Sequence, residues 1–309
     1  MVILVNPSAS GGKALRKWKR VEPRLRELIG PAELVTLNDG VDAKQCVGAA
    51  LNDGHTEFIA AGGDGTINLV LESIMEKAPP ALLPRLKIGA IGLGSSNDFH
   101  KPFRRDRQFA GVPFRIDFGA TVAHDVGLLT FEDDGGTRTL YWLINASVGL
   151  TAEANSSFNR PDAALRTLKR LSTSGAIAYA ALHALATHRN RWMTLNVDDG
   201  EAFETSVTNV GVVKTPHFSG TFSYGSPHEP HSGHFYVHLC ENMSRSRVLK
   251  TLWRSSRKGF AGLPSTRSWR SRRLSIRAAG PFAVEFDGEI VRTSHASFST
   301  RQGVLQVCT

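Results

Sequence analysis

The chain of 309 residues is predicted to form an α/β nucleotide-binding domain built on a parallel sheet, followed by a β-rich domain, with the active site in the cleft between them. Two changes of pattern carry this reading. The first 120 or so residues alternate strand and helix signals, which implies parallel strands covered by helices, and after about residue 125 strand-like runs dominate. A third observation places the site: three loops rich in Gly, Ser and Asn fall where strands of the first half end, and ligands of such sheets bind at the carboxyl ends of the strands. These loops are Asn6 to Gly12, Gly62 to Thr66 and Gly92 to Asp98.

The elements follow in order. Val2 to Val5 is an apolar strand, Lys13 to Ile29 a helix, Ala32 to Leu37 a strand and Asp42 to Asn52 a helix. Phe58 to Ala61 reads as a buried strand. Ile67, Val70, Leu71 and Ile74 recur at helical spacing, so a helix runs to Lys77 and Gly62, Gly63 and Gly65 occupy the strand-to-helix turn. Lys87 to Ile91 is the next strand. The expected boundary lies at residues 1–125 and 126–309, with the last residues crossing back to the first domain. Strand-like runs in the second part are Leu140 to Asn145, Trp192 to Val197, Phe203 to Val213, Phe235 to Cys240, Arg273 to Arg277, Ala283 to Phe286 and Val304 to Val307. One helical stretch, about Ala163 to Thr187, interrupts them. Asp199-Gly200 between two alternating runs signals a hairpin.

Composition narrows the class. The chain has 41% hydrophobic residues and shows no run of about 18 uninterrupted apolar residues of the kind a spanning helix needs. With the first strand beginning at Val2, a soluble cytoplasmic protein is expected. Cys46, Cys240 and Cys308 lie far apart, without the paired spacing of a disulfide framework or zinc ribbon. The net charge of +9 is concentrated: Arg245 to Arg277 holds eleven Lys and Arg and no Asp or Glu, leaving the rest of the chain at −2. Trp253, Phe260 and Trp269 are interleaved with those charges. Three readings fit the segment alone: a membrane surface with acidic lipids, single-stranded nucleic acid, or a solvated basic face.

The stretch Gly62-Gly63-Asp64-Gly65-Thr66 has the layout of a phosphate site. Glycine lets the backbone approach a ligand, a helix start favours an anion, and a carboxylate there can hold the metal that accompanies a polyphosphate. A glycine-rich βα turn with no ligand is the plain alternative. Two common nucleotide motifs are excluded. A Walker A loop ending at Lys13 would need glycine at Pro7 and Ser or Thr at Ala14, and Asn68 and Asn97 stand where a dinucleotide fingerprint needs its third glycine.

Further motifs then line up: Asn6-Pro7 with Ser10-Gly11-Gly12-Lys13, Gly94-Ser95-Ser96-Asn97-Asp98-Phe99, His124-Asp125-Val126-Gly127, Asn145-Ala146-Ser147-Val148-Gly149-Leu150, the helix with Tyr179, and Asp287-Gly288-Glu289. In this order the chain resembles the diacylglycerol kinase catalytic-domain family, with its soluble bacterial lipid kinases, sphingosine kinases and ceramide kinases. NAD kinases and phosphofructokinases share the GGDG turn; the Ser-Ser-Asn-Asp-Phe loop and the late Asp-Gly-Glu favour the lipid kinases. The resemblance implies a β-sandwich second domain and transfer of the ATP γ-phosphoryl to a lipid hydroxyl with Mg2+. Asp64, Asp98 and Asp125 would form an acidic network around the metal. Glu289 would be the general base and Asp287 its support. Asn6, Ser10, Gly11, Gly12, Lys13, Gly62, Gly63, Asp64, Gly65, Thr66, Asn68, Gly94, Ser95, Ser96 and Asn97 would line the nucleotide. Lys13 and the N–H groups of Gly63, Gly65 and Gly94 would hold phosphate oxygens. Asp98 as a local cap and Asp287-Gly288 as a mere turn are the duller readings.

Departures from the family pattern are Leu69 after Asn68, Gly92 in place of proline, and Ser232 in place of an acidic ligand of a structural magnesium, which implies that this metal is weakened or lost. His228, His231, His234 and His238 are closely spaced in a loop, which also raises a zinc or nickel site against an exposed loop. Expected partners are a lipid acceptor at the inner membrane surface and anionic lipids along Arg245 to Arg277, with no nucleic acid; a homodimer is among the expected states. The rival functions are an NAD kinase-like kinase of a soluble metabolite and a non-catalytic lipid- or nucleotide-binding relative.

Overall fold

The computed structural model describes all residues except 39, 103–106, 134, 160–172 and 258. The chain divides into two compact units. Unit 1 comprises Met1–Val126, Pro230–Ser232 and Arg301–Thr309, and unit 2 comprises Gly127–Glu229 and Gly233–Thr300.

In unit 1, β1 (Val2–Val5), β2 (Glu33–Thr36), β3 (Glu57–Gly62) and β4 (Lys87–Gly92) form a parallel sheet in the order β2-β1-β3-β4. The short β5 (Gln108–Phe109) and β6 (Val112–Arg115) follow, β6 lying antiparallel beside β4. Ile3, Val5, Ile59, Ala61 and Ile91 share one face of the sheet, as strand alternation requires. That face is covered by α1 (Ala14–Ile29), whose Ala14, Trp18, Val21 and Leu25 fall at helical spacing and are buried against it. Two further helices, α2 (Ala43–Asn52) and α3 (Asp64–Lys77), pack together, with α3 against β3 and β4. Asp42 starts α2 by accepting the Lys44 N–H at 2.8 Å.

One boundary differs from expectation in a way that matters for the site. Helix α3 begins at Asp64, not near Ile67, so Gly62 ends the strand, Gly63 is the helix cap, and Gly65 is already helical. A carboxylate in the first turn favours this early start, because it faces the positive end of the helix dipole.

Strand β7 (Thr121–Asp133) begins in unit 1 and continues in unit 2, where β8 (Gly136–Trp142) pairs with it as a hairpin. The remaining strands are β9 (Asn145–Gly149), β10 (Arg191–Val197), β11 (Phe203–Val213), β12 (His217–Phe218), β13 (Phe222–Ser223), β14 (Phe235–Glu241), β15 (Thr266–Ser271), β16 (Arg273–Phe286) and β17 (Glu289–Cys308), the last of which ends in unit 1. Within unit 2 the order is β15-β14-β11-β10-β16-β17, with β9 joining β11 and β16 at their other ends. Both β11 and β16 carry an irregularity, between Val207 and Asn209 and between Arg277 and Phe282, where each passes from β10 to β9. Trp142, Val210, Phe235, Ile276, Phe282 and Phe298 lie in its core. In unit 1, the end of β17 runs parallel beside β4.

The α/β domain followed by a β-rich domain is the expected architecture, with local corrections. The Arg273 and Ala283 runs are one bulged strand, and Val304 to Val307 is the tail of a 20-residue strand. The run Leu140 to Asn145 is broken at Leu143 and Ile144, whose N–H groups bond to a side chain instead of a neighbouring strand. Of the helix expected over Ala163 to Thr187, α5 occupies Thr173–Thr187 and the part up to residue 172 lies outside the described residues. Before it stands an unexpected helix, α4 (Leu150–Asn159), and a further one, α6 (Arg245–Ser255), forms inside the basic segment. No helix among the described residues is long and apolar enough to cross a membrane.

Candidate active site

Unit 1 brings its three glycine-rich loops together by hydrogen bonds. Asn6, at the end of β1, donates from Nδ2 to Thr66 Oγ1 (3.1 Å) in the first turn of α3 and accepts the Ser8 N–H (3.0 Å). The next residues, Ser10, Gly11 and Gly12, all have positive φ (55°, 64° and 83°), which makes a tight left-handed stretch ahead of α1. Successive amides in such conformations form anion-binding concavities. Lys13 follows as an exposed residue at the start of α1.

Asp64 is the hinge of the arrangement. Its Oδ2 accepts the Asp98 N–H (3.0 Å) and its Oδ1 the Phe99 N–H (3.2 Å), so the first glycine turn holds the start of a short 3-10 turn, Asp98–His100, in the third loop. The first and third loops approach so closely that glycine is required: a Cβ on Gly94 would lie 2.6 Å from the Gly63 Cα, while one on Gly62 would lie 2.2 Å from the Thr66 side-chain Oγ1. The Gly94 N–H, expected to face phosphate, instead donates to the Gly62 carbonyl at 3.1 Å. Gly63 and Gly65 keep the expected place at the helix start, where N–H groups lack an intrahelical acceptor. Asn68 is buried within α3, away from the loop surface, while Ser95 is exposed and Ser96 and Asn97 are half-buried. Asn97 sits at φ 50° and donates from Nδ2 to the carbonyls of Gly92 (3.1 Å) and Gly94 (3.4 Å).

The three aspartates expected around the metal have separate tasks. Asp98 pairs through Oδ1 with Lys101 Nζ at 2.5 Å. Asp125, fully buried, accepts the Gly303 N–H at 2.9 Å, while its own N–H goes to the Pro230 carbonyl, so it ties outlying pieces of unit 1 to the main body. Among the described residues no three His, Cys, Asp or Glu side chains gather as a metal-holding set. His238 is buried, stacked on Tyr224 at 4.3 Å and bonded to Ser268, and burial lowers its pKa to about 3. His228 meets the Lys214 carbonyl and His234 the Arg272 guanidinium. Asp64 alone still suits magnesium, since that ion takes one or two carboxylates and completes its shell with phosphate oxygens and water.

Lys17, which sequence reading missed, braces the third loop. From α1 its Nζ donates to the carbonyls of Leu93 (3.0 Å) and Gly94 (2.8 Å), and burial, then Arg20 and Lys13, lower its pKa. Its only sequence signal is a lysine on the flank of an amphipathic helix that follows a glycine loop. Behind the same loop, His100 and Arg115 are buried, with pKa values lowered by burial to about 3 and about 9, and Arg115 lies over the Phe99 ring at 4.4 Å.

In unit 2 the Asp287-Gly288-Glu289 motif is a two-residue hairpin turn, with Phe286 opposite Glu289 and φ positive at Asp287 (47°) and Gly288 (96°). The turn reading and the functional reading therefore describe the same residues. Asp287 is buried, and its carboxylate accepts the N–H groups of Leu143 (2.6 Å), Ile144 (3.0 Å) and Asn145 (3.0 Å); its own N–H returns to the Asn145 carbonyl (2.9 Å). A second buried acid, Glu285, is the one charge in the run Phe282 to Phe286. It accepts from Ser147 Oγ (2.8 Å) and from the Gly288 N–H (2.9 Å). Glu289, in contrast, is exposed at the start of β17. Two buried acids thus hold a hairpin whose third acid faces outward. Unit 2 also contains a cavity of about 500 Å³ lined by Met193, Val207 and Phe282 together with Glu153, Arg189 and Arg191.

Comparison with known proteins agrees with both units. Residues 1–128 match the family model described as the diacylglycerol kinase catalytic domain, and residues 145–309 match the YegS C-terminal NAD kinase beta sandwich-like domain. A Stenotrophomonas maltophilia protein named "Probable lipid kinase YegS-like" is 34% identical over 122 residues, covering 37% of this chain and 35% of its own length. Another of that name, from Cronobacter sakazakii, is 29% identical over 150 residues, covering 48% and 44%. The chain spans between 35% and 57% of the length of the first curated relatives it matches. A crystal structure of a diacylglycerol kinase from Bacillus anthracis has a TM-score of 0.67 at 14% identity, over 99% of this chain and 95% of that one; a second structure from the same organism gives 0.70 at 18%, over 99% and 94%. At those identities the likeness shows the fold. The two family matches together account for most of the chain, and it belongs to the lipid kinase family that joins a diacylglycerol kinase catalytic domain to a YegS-type β-sandwich-like domain.

Proposed function

We propose that this chain is an ATP- and Mg2+-dependent kinase that transfers the γ-phosphoryl group to the hydroxyl of a diacylglycerol-like or sphingoid-like lipid. The observation that supports this most is the clamp of Asp64 on the Asp98 and Phe99 amides, which sets two glycine loops edge to edge at a helix start. Such an edge suits a polyphosphate: the α3 N-terminus attracts anions, and Lys13, at the end of the left-handed Ser10 to Gly12 turn, adds charge. Asp64 would hold the magnesium, which when bound neutralises charge on the transferring group. In unit 2, Glu289 takes the proton of the acceptor hydroxyl as its oxygen bonds to the γ-phosphorus; the bond from that phosphorus to the bridging oxygen breaks and ADP leaves. Asp287 and Glu285 keep the base in place and carry no proton in this scheme. The lining of the unit 2 cavity, part apolar (Met193, Val207, Phe282) and part charged (Glu153, Arg189, Arg191), suits an amphiphilic acceptor.

The test is transfer of labelled phosphate from Mg·ATP to a panel of lipid alcohols in mixed micelles, with Asp64→Ala and Glu289→Gln beside the wild type. Both variants should lose at least about 100-fold in turnover; Glu289→Gln should leave thermal unfolding unchanged, while Asp64→Ala, which leaves the Asp98 and Phe99 amides without their acceptor, should lower it without abolishing the fold. No labelled lipid with the wild type, or near-normal turnover in either variant, refutes the assignment it addresses.

A further inference from the structure

The basic segment does not form one surface. Arg267 and Arg270, on β15, pair with Glu241 and Glu229 at 2.9 Å each, Trp269 lies against Phe203, and Phe260 is buried in the core. Of the three aromatic residues interleaved with the charges, Trp253 alone is exposed.

Helix α6 has a different construction. Ser244 caps it, and Val248, Thr251 and Ser255 turn into the protein. Leu249 and Trp253, one turn apart and therefore on one stripe, are exposed by 50% and 57%. Lys250 and Arg254 form the adjoining stripe, with no carboxylate partner among the described residues. Arg257 lies over the Trp253 ring at 4.7 Å. The first turn holds Arg245 and Arg247 and no acid, the reverse of what the helix dipole favours. A helix that exposes Leu and Trp beside unpaired cations, at some expense in intrinsic stability, has the pattern of an interfacial helix.

We infer that α6 is the docking element for an anionic lipid bilayer, with Leu249 and Trp253 entering the interface and Lys250, Arg254 and Arg257 meeting acidic headgroups. The occupant is chosen by charge and depth together: indole sits at headgroup level, and flanking cations bind acidic lipid. This rests on the lipid kinase reading for its purpose but not for its test.

The experiment is sedimentation of the full chain with vesicles of phosphatidylcholine alone or mixed with phosphatidylglycerol. Wild type should bind only the mixed vesicles. Lys250→Ala/Arg254→Ala should weaken that binding about 25-fold, from roughly fivefold per charge. Leu249→Ala/Trp253→Ala should weaken it at least tenfold, on the order expected for two partly buried side chains. Circular dichroism should be unchanged, and Trp253→Phe should remove the vesicle-induced blue shift in fluorescence. Equal binding of wild type and both double variants overturns the inference. So does a pattern in which the variants lose salt-dependent binding to single-stranded RNA, or dissociate a dimer, while vesicle binding is unaffected. Loss of vesicle binding in the variants of a chain that phosphorylates no lipid upholds the docking surface and counts against the kinase reading alone.

Discussion

Replacing Asp287 by Ala should unfold unit 2 at markedly lower temperature, because this side chain is an anchor before it is anything catalytic. Its carboxylate terminates three backbone N–H groups, at 2.6, 3.0 and 3.0 Å, in a buried setting. Hydrogen bonds to a charged group are worth about 1.5–3 kcal/mol each, and a buried donor left without an acceptor costs about 1–3 kcal/mol. The three are neighbours on one segment and relax together, so a total of about 3–5 kcal/mol is expected, short of the simple sum. Ala also tolerates the φ of 47° poorly, which adds roughly 1 kcal/mol. For a unit of this size the combined loss of about 4–6 kcal/mol lowers the melting temperature by about 8–24 °C, at 2–4 °C per kcal/mol.

Asn distinguishes anchoring from bulk. Its oxygen can keep Ile144 and Asn145, while its amide nitrogen meets the Leu143 N–H, so Asp287→Asn should lie between wild type and Ala, about 2 kcal/mol down. Thermal and urea unfolding of the three proteins, with Glu289→Gln as the control that leaves stability unchanged, is the assay. An Asp287→Ala protein that melts within 2 °C of wild type, on a scale where about 8 °C is the least expected, or an Asn variant weaker than Ala, refutes the anchoring role.

Three other outcomes follow from the same geometry. Gly94→Ala forces a Cβ to 2.6 Å from the Gly63 Cα, so the two glycine loops must part; Mg·ATP affinity by calorimetry should fall at least about tenfold with little change in unfolding. Acid should destabilise the fold through His100 and His238, both buried with pKa lowered to about 3: the unfolded chain takes up their protons near pH 6.5 and the folded one does not. Their stabilising contribution is thus complete above about pH 6.5 and declines toward pH 3, by up to ~1.4 kcal/mol per pH unit for each histidine, seen as a falling urea midpoint. In His238→Phe, which can retain the stack on Tyr224, the slope of that decline should be shallower by about one proton, and an unchanged slope counts against the burial of a neutral ring.

Much of unit 1 was legible because its signals are local. Alternating apolar strands, helical spacing in α1 and α3, and glycines at the ends of β1, β3 and β4 depend on residues close in the chain. The turn at Asp287-Gly288 was legible for the same reason, since positive φ at Asp287 and Gly288 is a demand that short polar residues and glycine meet; the hairpin of β10 and β11 forms as signalled, but its left-handed residue is Asp198, not Asp199 or Gly200. The motif order also identified the family, since several separated patterns in one sequence are far more specific than any of them alone.

The tertiary structure decided what each charged side chain does. Asp64, Asp98, Asp125, Glu285 and Asp287 look alike in the sequence, and their partners are found 34, 3, 178, 138 and about 143 positions away. Apart from the i,i+3 pair of Asp98 with Lys101, no local pattern encodes which amide will lie within about 3 Å, so only the fold shows that these five acids serve as a loop clamp, an ion pair, a strand anchor and two hairpin anchors. Likewise the basic segment is uniform as sequence, yet strand pairing gives Arg267 and Arg270 their glutamates and leaves Lys250 and Arg254 outward on a helix. Local chemistry determined where loops and turns form; burial and long-range hydrogen bonding determined which of their charges are left for function.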